Sequence, residues 1–146
     1  MKLGIEKLEF IPAANCRNWS FVPRNGSIDV TAFITAAFSA IDFTSLMCSF
    51  EEEWLDDTQG KYSQINITGT IRTIKKAASK LTMQKLLAGK YIYRVKAASG
   101  EKFIIGSLDY CPKFAFKNLI EGLTTSEFQL TISLKSPHGS ITDTSV

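Results

Sequence analysis

The side chains best suited to nucleophilic or metal chemistry are few in this chain: one histidine and three cysteines. His138 lies in a Pro-His-Gly segment, and no local motif pairs it with a nucleophile. Cys16, Cys48 and Cys111 form no close pair, whereas a structural zinc site needs four ligands that usually include such pairs. The pattern predicts reduced thiols, no catalytic residue, no metal and no cofactor. A small enzyme whose residues come from separate loops is an alternative.

A cluster of carboxylates around a tryptophan is the second candidate for chemistry. Its members are Glu51, Glu52, Glu53, Trp54, Asp56 and Asp57. The segment lacks the alternating oxygen ligands and the glycine of a calcium loop. Two interpretations stay open for the cluster: a solvated loop end, or a docking loop anchored by Trp54, since aromatic rings are common anchors at interfaces. Trp54 alone also fits core packing at the end of a strand.

A third candidate interleaves cations with aromatic rings in residues 90–96, KYIYRVK, as single-strand nucleic-acid binders do. In a strand, however, the tyrosines and the cations point to opposite faces. The pattern therefore favours a half-buried strand with its tyrosines in the core. The alternative is a nucleic-acid-binding module, for which the candidate residues are Lys75, Lys76, Lys80, Arg94 and Lys96.

Charge is sorted along the chain. Residues 25–60 contain seven acidic residues and no basic one, whereas residues 61–100 contain nine basic residues and no acidic one. Such blocks attract either each other within one fold or the matching block on a neighbouring copy. The second case predicts a homo-oligomer whose interface combines the acidic cluster with Lys75, Lys76 and Lys80.

Period-two alternation dominates the rest of the sequence and predicts strands, most clearly over residues 127–135. An Asn-Gly turn at residues 24–27 and a glycine-containing loop at residues 97–101 predict two hairpins. One helix is expected near residues 71–87, where helix formers occur without proline or glycine. We therefore expect an α+β fold, mainly β: an antiparallel sandwich or partly open barrel carrying one helix.

Length and composition limit the class of protein. A chain of 146 residues with 45% apolar content fits a single domain, residues 1–146, with a polar C-terminal tail at 136–146 that is either a loose end or an arm ordered by a partner. No apolar run is long enough for a membrane helix, and the charged N-terminus predicts no signal peptide. Scattered glycines argue against an NTPase or a dehydrogenase. No membrane or small-molecule substrate is expected.

Residues 89–95 (GKYIYRV), 100–106 (GEKFIIG) and 109–112 (DYCP) carry a family resemblance. Over about residues 89–116, the chain resembles a hairpin and following strand of small tail- or neck-associated proteins of bacteriophages and prophages, particularly from gut Bacteroidetes. The resemblance implies a non-enzymatic virion component that forms a ring or tube, or connects virion parts. Its implied partners are other virion proteins, and its implied location is the virion or the host cytoplasm.

Overall fold

The computed structural model of the chain describes residues 2–16, 27–29, 34, 37–40, 45–58, 60–73, 84–106, 110–121, 125–136 and 140–144. Within these residues lie ten strands, a 3-10 turn at Ala13–Asn15 and a short helix, α1, at residues 84–88. In chain order the strands are β1 (Lys2–Pro12), β2 (Ser27–Ile28), β3 (Ser39–Ala40), β4 (Ser45–Asp57), β5 (Gly60–Thr73), β6 (Tyr91–Ala97), β7 (Lys102–Ile105), β8 (Lys113–Glu121), β9 (Thr125–Ser136) and β10 (Ile141–Asp143).

The described strands form one sheet in the order β2-β10-β7-β6-β1-β4-β5-β9-β8, and β3 pairs with β1 off this path. All of these pairings are antiparallel except that of β10 with β2. The two end strands, β2 and β8, do not pair with each other in the described part of the chain, so the sheet is not closed into a barrel. The expected fold class, α+β and mainly β, is confirmed.

Strand β1 divides the sheet into two layers. Its first residues, Lys2–Gly4, pair with β4, whereas Ile5 and the residues from Lys7 to Pro12 pair with β6. The register shifts between Ile5 and Lys7, and such an irregularity bends a strand. We call β4, β5, β9 and β8 the first layer, and β6, β7, β10 and the later part of β1 the second layer.

The main core lies between the two layers. Phe50 of the first layer stacks on Phe103 of the second, with ring centroids 5.8 Å apart, and Phe114 stacks on Tyr93 at 6.4 Å. Such aromatic pairs stabilise a fold beyond the area that they bury. The aliphatic side chains around them follow the period of two: Ile65, Ile67, Leu130, Ile132 and Leu134 from the first layer, and Leu8 and Val95 from the second.

A smaller apolar cluster covers the opposite side of the second layer. Its buried members are Ile11, Cys16, Ile92, Ile104 and Ile141, with Ile34 and Phe38 packed against them. The second layer is therefore buried on both sides, which explains why β7, Lys102–Ile105, is nearly continuous in apolar residues.

Burial makes the Cys16 thiol unreactive. Burial, and secondarily the neighbouring charge of Cys111, raise the pKa of Cys16 to about 11. We expect iodoacetamide at pH 7.5 to leave the Cys16 peptide unlabelled in the folded protein and to label it in urea, as read by mass spectrometry, because only the thiolate reacts. Labelling at equal rates in both states would contradict this.

The raised pKa of Cys16 also makes stability depend on pH. The free energy of unfolding should fall as pH rises from about 9 to 11, because the unfolded chain releases the thiol proton at a lower pH than the folded protein.

Two turns depend on glycines with positive φ. Gly100, with φ of 94°, lies in the turn between β6 and β7, where its N–H donates to the carbonyl of Ala97. Gly60, with φ of 117°, begins β5 at the tip of the β4–β5 hairpin. Residues with a Cβ rarely adopt this conformation, so glycine suits both positions. The hairpin predicted around residues 97–101 is confirmed, whereas the one at 24–27 falls largely on residues outside those described.

The helix was predicted near residues 71–87, but its first three predicted residues are part of a strand in the structure. Residues 71–73 belong to β5, where Ile71 pairs with Leu46 on one side and with Phe128 on the other. Residues 74–83 lie outside the described part of the chain, and the described helix covers residues 84–88. Strands on both sides pair with Ile71, so the sheet continues through it. The spacing of apolar residues over so short a segment does not distinguish a strand from a helix.

The predicted polar tail, residues 136–146, is not a loose end in the part that the structure describes. Ser136 is the last residue of β9, and residues 141–143 form β10 between β7 and β2. Ile141 and Asp143 are buried, with exposed fractions of 3% and 5%. Residues 141–143 of the tail are therefore built into the second layer, where Ile141 packs in the smaller cluster.

Candidate interface

The β4–β5 hairpin extends beyond its neighbours in the first layer. Strand β1 starts opposite Glu51, so no described strand lies on that side of β4 residues 52–57. Strand β9 ends at Ser136, opposite Ser63, so β5 residues 60–62 pair with β4 alone. We call residues 52–62 the hairpin tip. The acidic cluster, predicted as a loop, lies instead on strand β4 and forms one side of this tip.

Trp54 is exposed on the hairpin tip. Its exposed fraction is 56%, although it lies on the same side of β4 as the buried Phe50. Side chains at alternate positions of a strand share a face, but β1 no longer lies beside β4 at position 54. Core packing of Trp54 is therefore wrong, and its indole is available to a partner.

The carboxylates around Trp54 are largely unneutralised. Glu51, Glu53 and Asp56 are exposed and form no ion pair within the described residues, although Lys61 lies opposite Asp56 in the ladder. Asp57 ends β4 and pairs with Gly60. From 52 to 62 the sequence carries four acidic residues and one basic residue, so the hairpin tip is strongly negative.

Two contacts hold the base of the hairpin. A carboxylate oxygen of Glu52 accepts a hydrogen bond of 2.7 Å from the backbone N–H of Ser140, which links β4 to the segment before β10. On the opposite face, the ammonium of Lys135 lies 4.1 Å from the ring centroid of Tyr62, a cation–π contact between β9 and β5. These contacts position the acidic edge and Trp54 on an ordered ribbon.

The nucleic-acid candidates are not brought together by the described residues. Lys75, Lys76 and Lys80 lie outside them, as does His138. Strand β6 has the predicted faces, because Tyr91, Tyr93 and Val95 lie in the main core while Arg94 points to the opposite side. Lys96 is half-buried on the outer side of β6.

Arg94 is engaged by two carboxylates that sequence reasoning missed. Its guanidinium donates from Nε and one terminal nitrogen to both oxygens of Glu9, each at 3.0 Å, and from the other terminal nitrogen to Asp143 at 3.1 Å. The ring of Phe38 lies over it, 4.3 Å from Cζ. Burial alone would lower the pKa of Arg94, but its hydrogen bonds and ion pairs with Glu9 and Asp143 raise it overall. Arg94 is thus a structural clamp, and its donors are not directed at a phosphate.

Exposed basic residues also lie at and directly after α1. Lys85 and Lys90 are exposed and form no ion pair among the described residues, and Leu87 between them has an exposed fraction of 56%. Leu86 anchors the helix, since it is buried in the main core. The carbonyl of Lys90 accepts a hydrogen bond from the N–H of Ala13, directly after β1. We call Lys85, Leu87 and Lys90 the α1 patch.

An open cavity of about 380 Å³ lies on the outer side of the first layer. It is lined by Gln64, Tyr110, Cys111, Lys113, Ser133, Leu134 and Lys135. The described residues of its wall include no histidine and no carboxylate.

Two other kinds of feature, a metal site and a membrane-spanning helix, are absent from the described part of the chain. No group of three or more histidine, cysteine, aspartate or glutamate residues there is arranged to hold a metal ion. No helix within the described residues has the length and apolar character needed to cross a membrane.

Comparison with known proteins gives no relative: no family model, no curated protein and no solved structure matches the chain.

Proposed function

We propose that this chain is a non-enzymatic structural protein that assembles through its hairpin tip. Its proposed setting is the tail or neck of a bacteriophage or prophage, in the virion or the host cytoplasm, where it forms rings or connects virion parts. The proposal is carried by the exposed Trp54 on the protruding β4–β5 ribbon, beside the exposed carboxylates of Glu53 and Asp56, which form no ion pair within the described residues. Copies of the chain and other virion proteins are the proposed partners.

The physical basis is the cost of leaving such a surface in water. A tryptophan that enters a partner's pocket is a common hot spot of an interface. Charged side chains on a strand edge prevent indiscriminate edge-to-edge pairing, so the carboxylates keep the tip soluble until a positive partner arrives. Opposite charge on that partner then speeds association and fixes its orientation.

Replacing Trp54 by alanine is expected to weaken assembly by at least about 30-fold in Kd, because hot-spot residues contribute on the order of 2 kcal/mol or more. Light scattering coupled to size exclusion, over a concentration series at low and high salt, measures this change. The matched control is Tyr110→Ala, which removes another exposed aromatic ring, 37% exposed, outside the hairpin tip. The control should assemble like the wild type.

High salt should also weaken assembly of the wild type, since surface charges are screened. Two results count against the proposal: a wild-type protein that is monomeric at every concentration and in both salts, or a Trp54→Ala protein that assembles as well as the wild type.

A further inference from the structure

We infer that the α1 patch of a second copy receives the hairpin tip, so that copies join head to tail. This inference rests on the proposed function and adds the identity of the partner surface. It makes the chain its own partner, with one acidic end and one basic end.

The two surfaces lie at opposite ends of β1. Lys2, the first residue of β1, pairs with Glu51, and the hairpin tip continues beyond that pair. Pro12, the last residue of β1, pairs with Tyr91, the residue that follows the α1 patch. The later part of β1, from Lys7 to Pro12, runs without a further register shift and at about 3.3 Å per residue keeps the patch away from the start of the strand. The tip and the patch of one molecule therefore adjoin opposite ends of β1, which favours a contact between copies.

The two surfaces are complementary in chemistry. Each carries one large exposed apolar side chain, Trp54 on the tip and Leu87 on the patch, and both are 56% exposed. Asp56 lies two residues after Trp54 on the same face of β4, and its exposed carboxylate forms no ion pair within the described residues. Lys85 and Lys90 come two residues before and three residues after Leu87, and both are exposed. An exposed apolar side chain on each surface, accompanied by charges of opposite sign, is the complementarity that a specific interface needs.

A contact between different surfaces has a structural consequence. Joining the tip of one copy to the patch of the next leaves one tip and one patch free at the ends of the assembly. Such a heterologous contact repeats until the rotation closes a ring, or it continues as a filament. A tip-to-tip contact would instead stop at a dimer and would bring carboxylates together.

A mixing experiment tests the inference. The acceptor variant, Lys85→Glu with Leu87→Ala, disrupts the α1 patch and keeps the hairpin tip intact. The donor variant, Trp54→Ala, disrupts the hairpin tip and keeps the α1 patch intact. As a control, Lys113→Glu reverses the charge of an exposed lysine elsewhere. All substituted side chains are exposed, and circular dichroism verifies that each variant is folded. We expect the acceptor variant to assemble at least about tenfold more weakly than the wild type, and the donor variant, Trp54→Ala, at least about 30-fold more weakly. Mixed together, they should form a 1:1 dimer and nothing larger, because one intact tip then meets one intact patch.

The outcomes separate this inference from the proposed function. If Trp54→Ala weakens assembly while the acceptor variant assembles like the wild type, the tip is an interface but the α1 patch is not its acceptor. If the two variants form no dimer on mixing, the head-to-tail contact is likewise wrong. If Trp54→Ala itself has no effect, the proposed function fails as well. A Lys113→Glu protein that loses assembly equally would show a general charge effect and would overturn the inference.

Discussion

Replacing Arg94 by methionine is expected to lower the free energy of unfolding by about 3–5 kcal/mol, because it removes the guanidinium that donates hydrogen bonds to two buried carboxylates. The side chain of Glu9 is 9% exposed and that of Asp143 is 0% exposed, and Arg94 supplies hydrogen bonds to both. Lys7 reaches Glu9 only at 3.9 Å from an exposed position, so it does not replace the guanidinium. Urea unfolding measures the change as a lower midpoint with an unchanged slope.

The matched control for this prediction is Lys96→Met, which removes the next cation on the same side of β6. Lys96 forms no ion pair in the described structure, so its loss should change stability by no more than about 0.5 kcal/mol. Asp143→Asn should cost less than Arg94→Met, since Arg94 keeps both bonds to Glu9. An Arg94→Met protein as stable as the Lys96→Met protein would show that the ion cluster does not hold β10 to the sheet.

Replacing Phe50 by alanine is expected to destabilise the fold by about 3–5 kcal/mol, as for other large-to-small changes in a core. Phe50 is 1% exposed and stacks on Phe103 with an interplanar angle of 8°, so its ring joins the first layer to the second. The matched control is Trp54→Ala on the same strand, which should change the stability of dilute protein by about 0.5 kcal/mol or less because Trp54 is exposed.

A double-mutant cycle tests the contact between layers directly. Phe50→Ala, Phe103→Ala and the double variant should give a coupling of about 0.5–1.5 kcal/mol, the range for stacked aromatic pairs. Strictly additive effects would contradict the sandwich arrangement, since two rings in separate environments do not interact.

The alternation of apolar and polar residues correctly predicted strands that have one face in the core and one face outside it. In β9, Leu130, Ile132 and Leu134 are buried while Gln129 and Thr131 are exposed, as the alternation indicates. In β6, the tyrosines enter the core and Arg94 leaves it. A period of two is a property of the strand itself, so it can be recognised without knowing which strands lie alongside.

The sequence did not predict β1, which organises the whole fold. Its charges at Glu6, Lys7 and Glu9 interrupt the apolar pattern, and its register shift between Ile5 and Lys7 breaks the alternation. Glu9 is acceptable inside the fold only because Arg94, 85 residues away, supplies two hydrogen bonds. No local pattern identifies a partner at that distance.

By itself, the sequence determined a mainly β fold, the two faces of its clearest strands and the separation of acidic from basic residues along the chain. Only the tertiary structure decided which of these charges are neutralised. Arg94 is satisfied by Glu9 and Asp143, neither of which belongs to the acidic block of residues 25–60, and the carboxylates of Glu51, Glu53 and Asp56 in that block are exposed. The physical reason is that ion pairing depends on distance in space, and the pairing of β1 with β6 sets that distance.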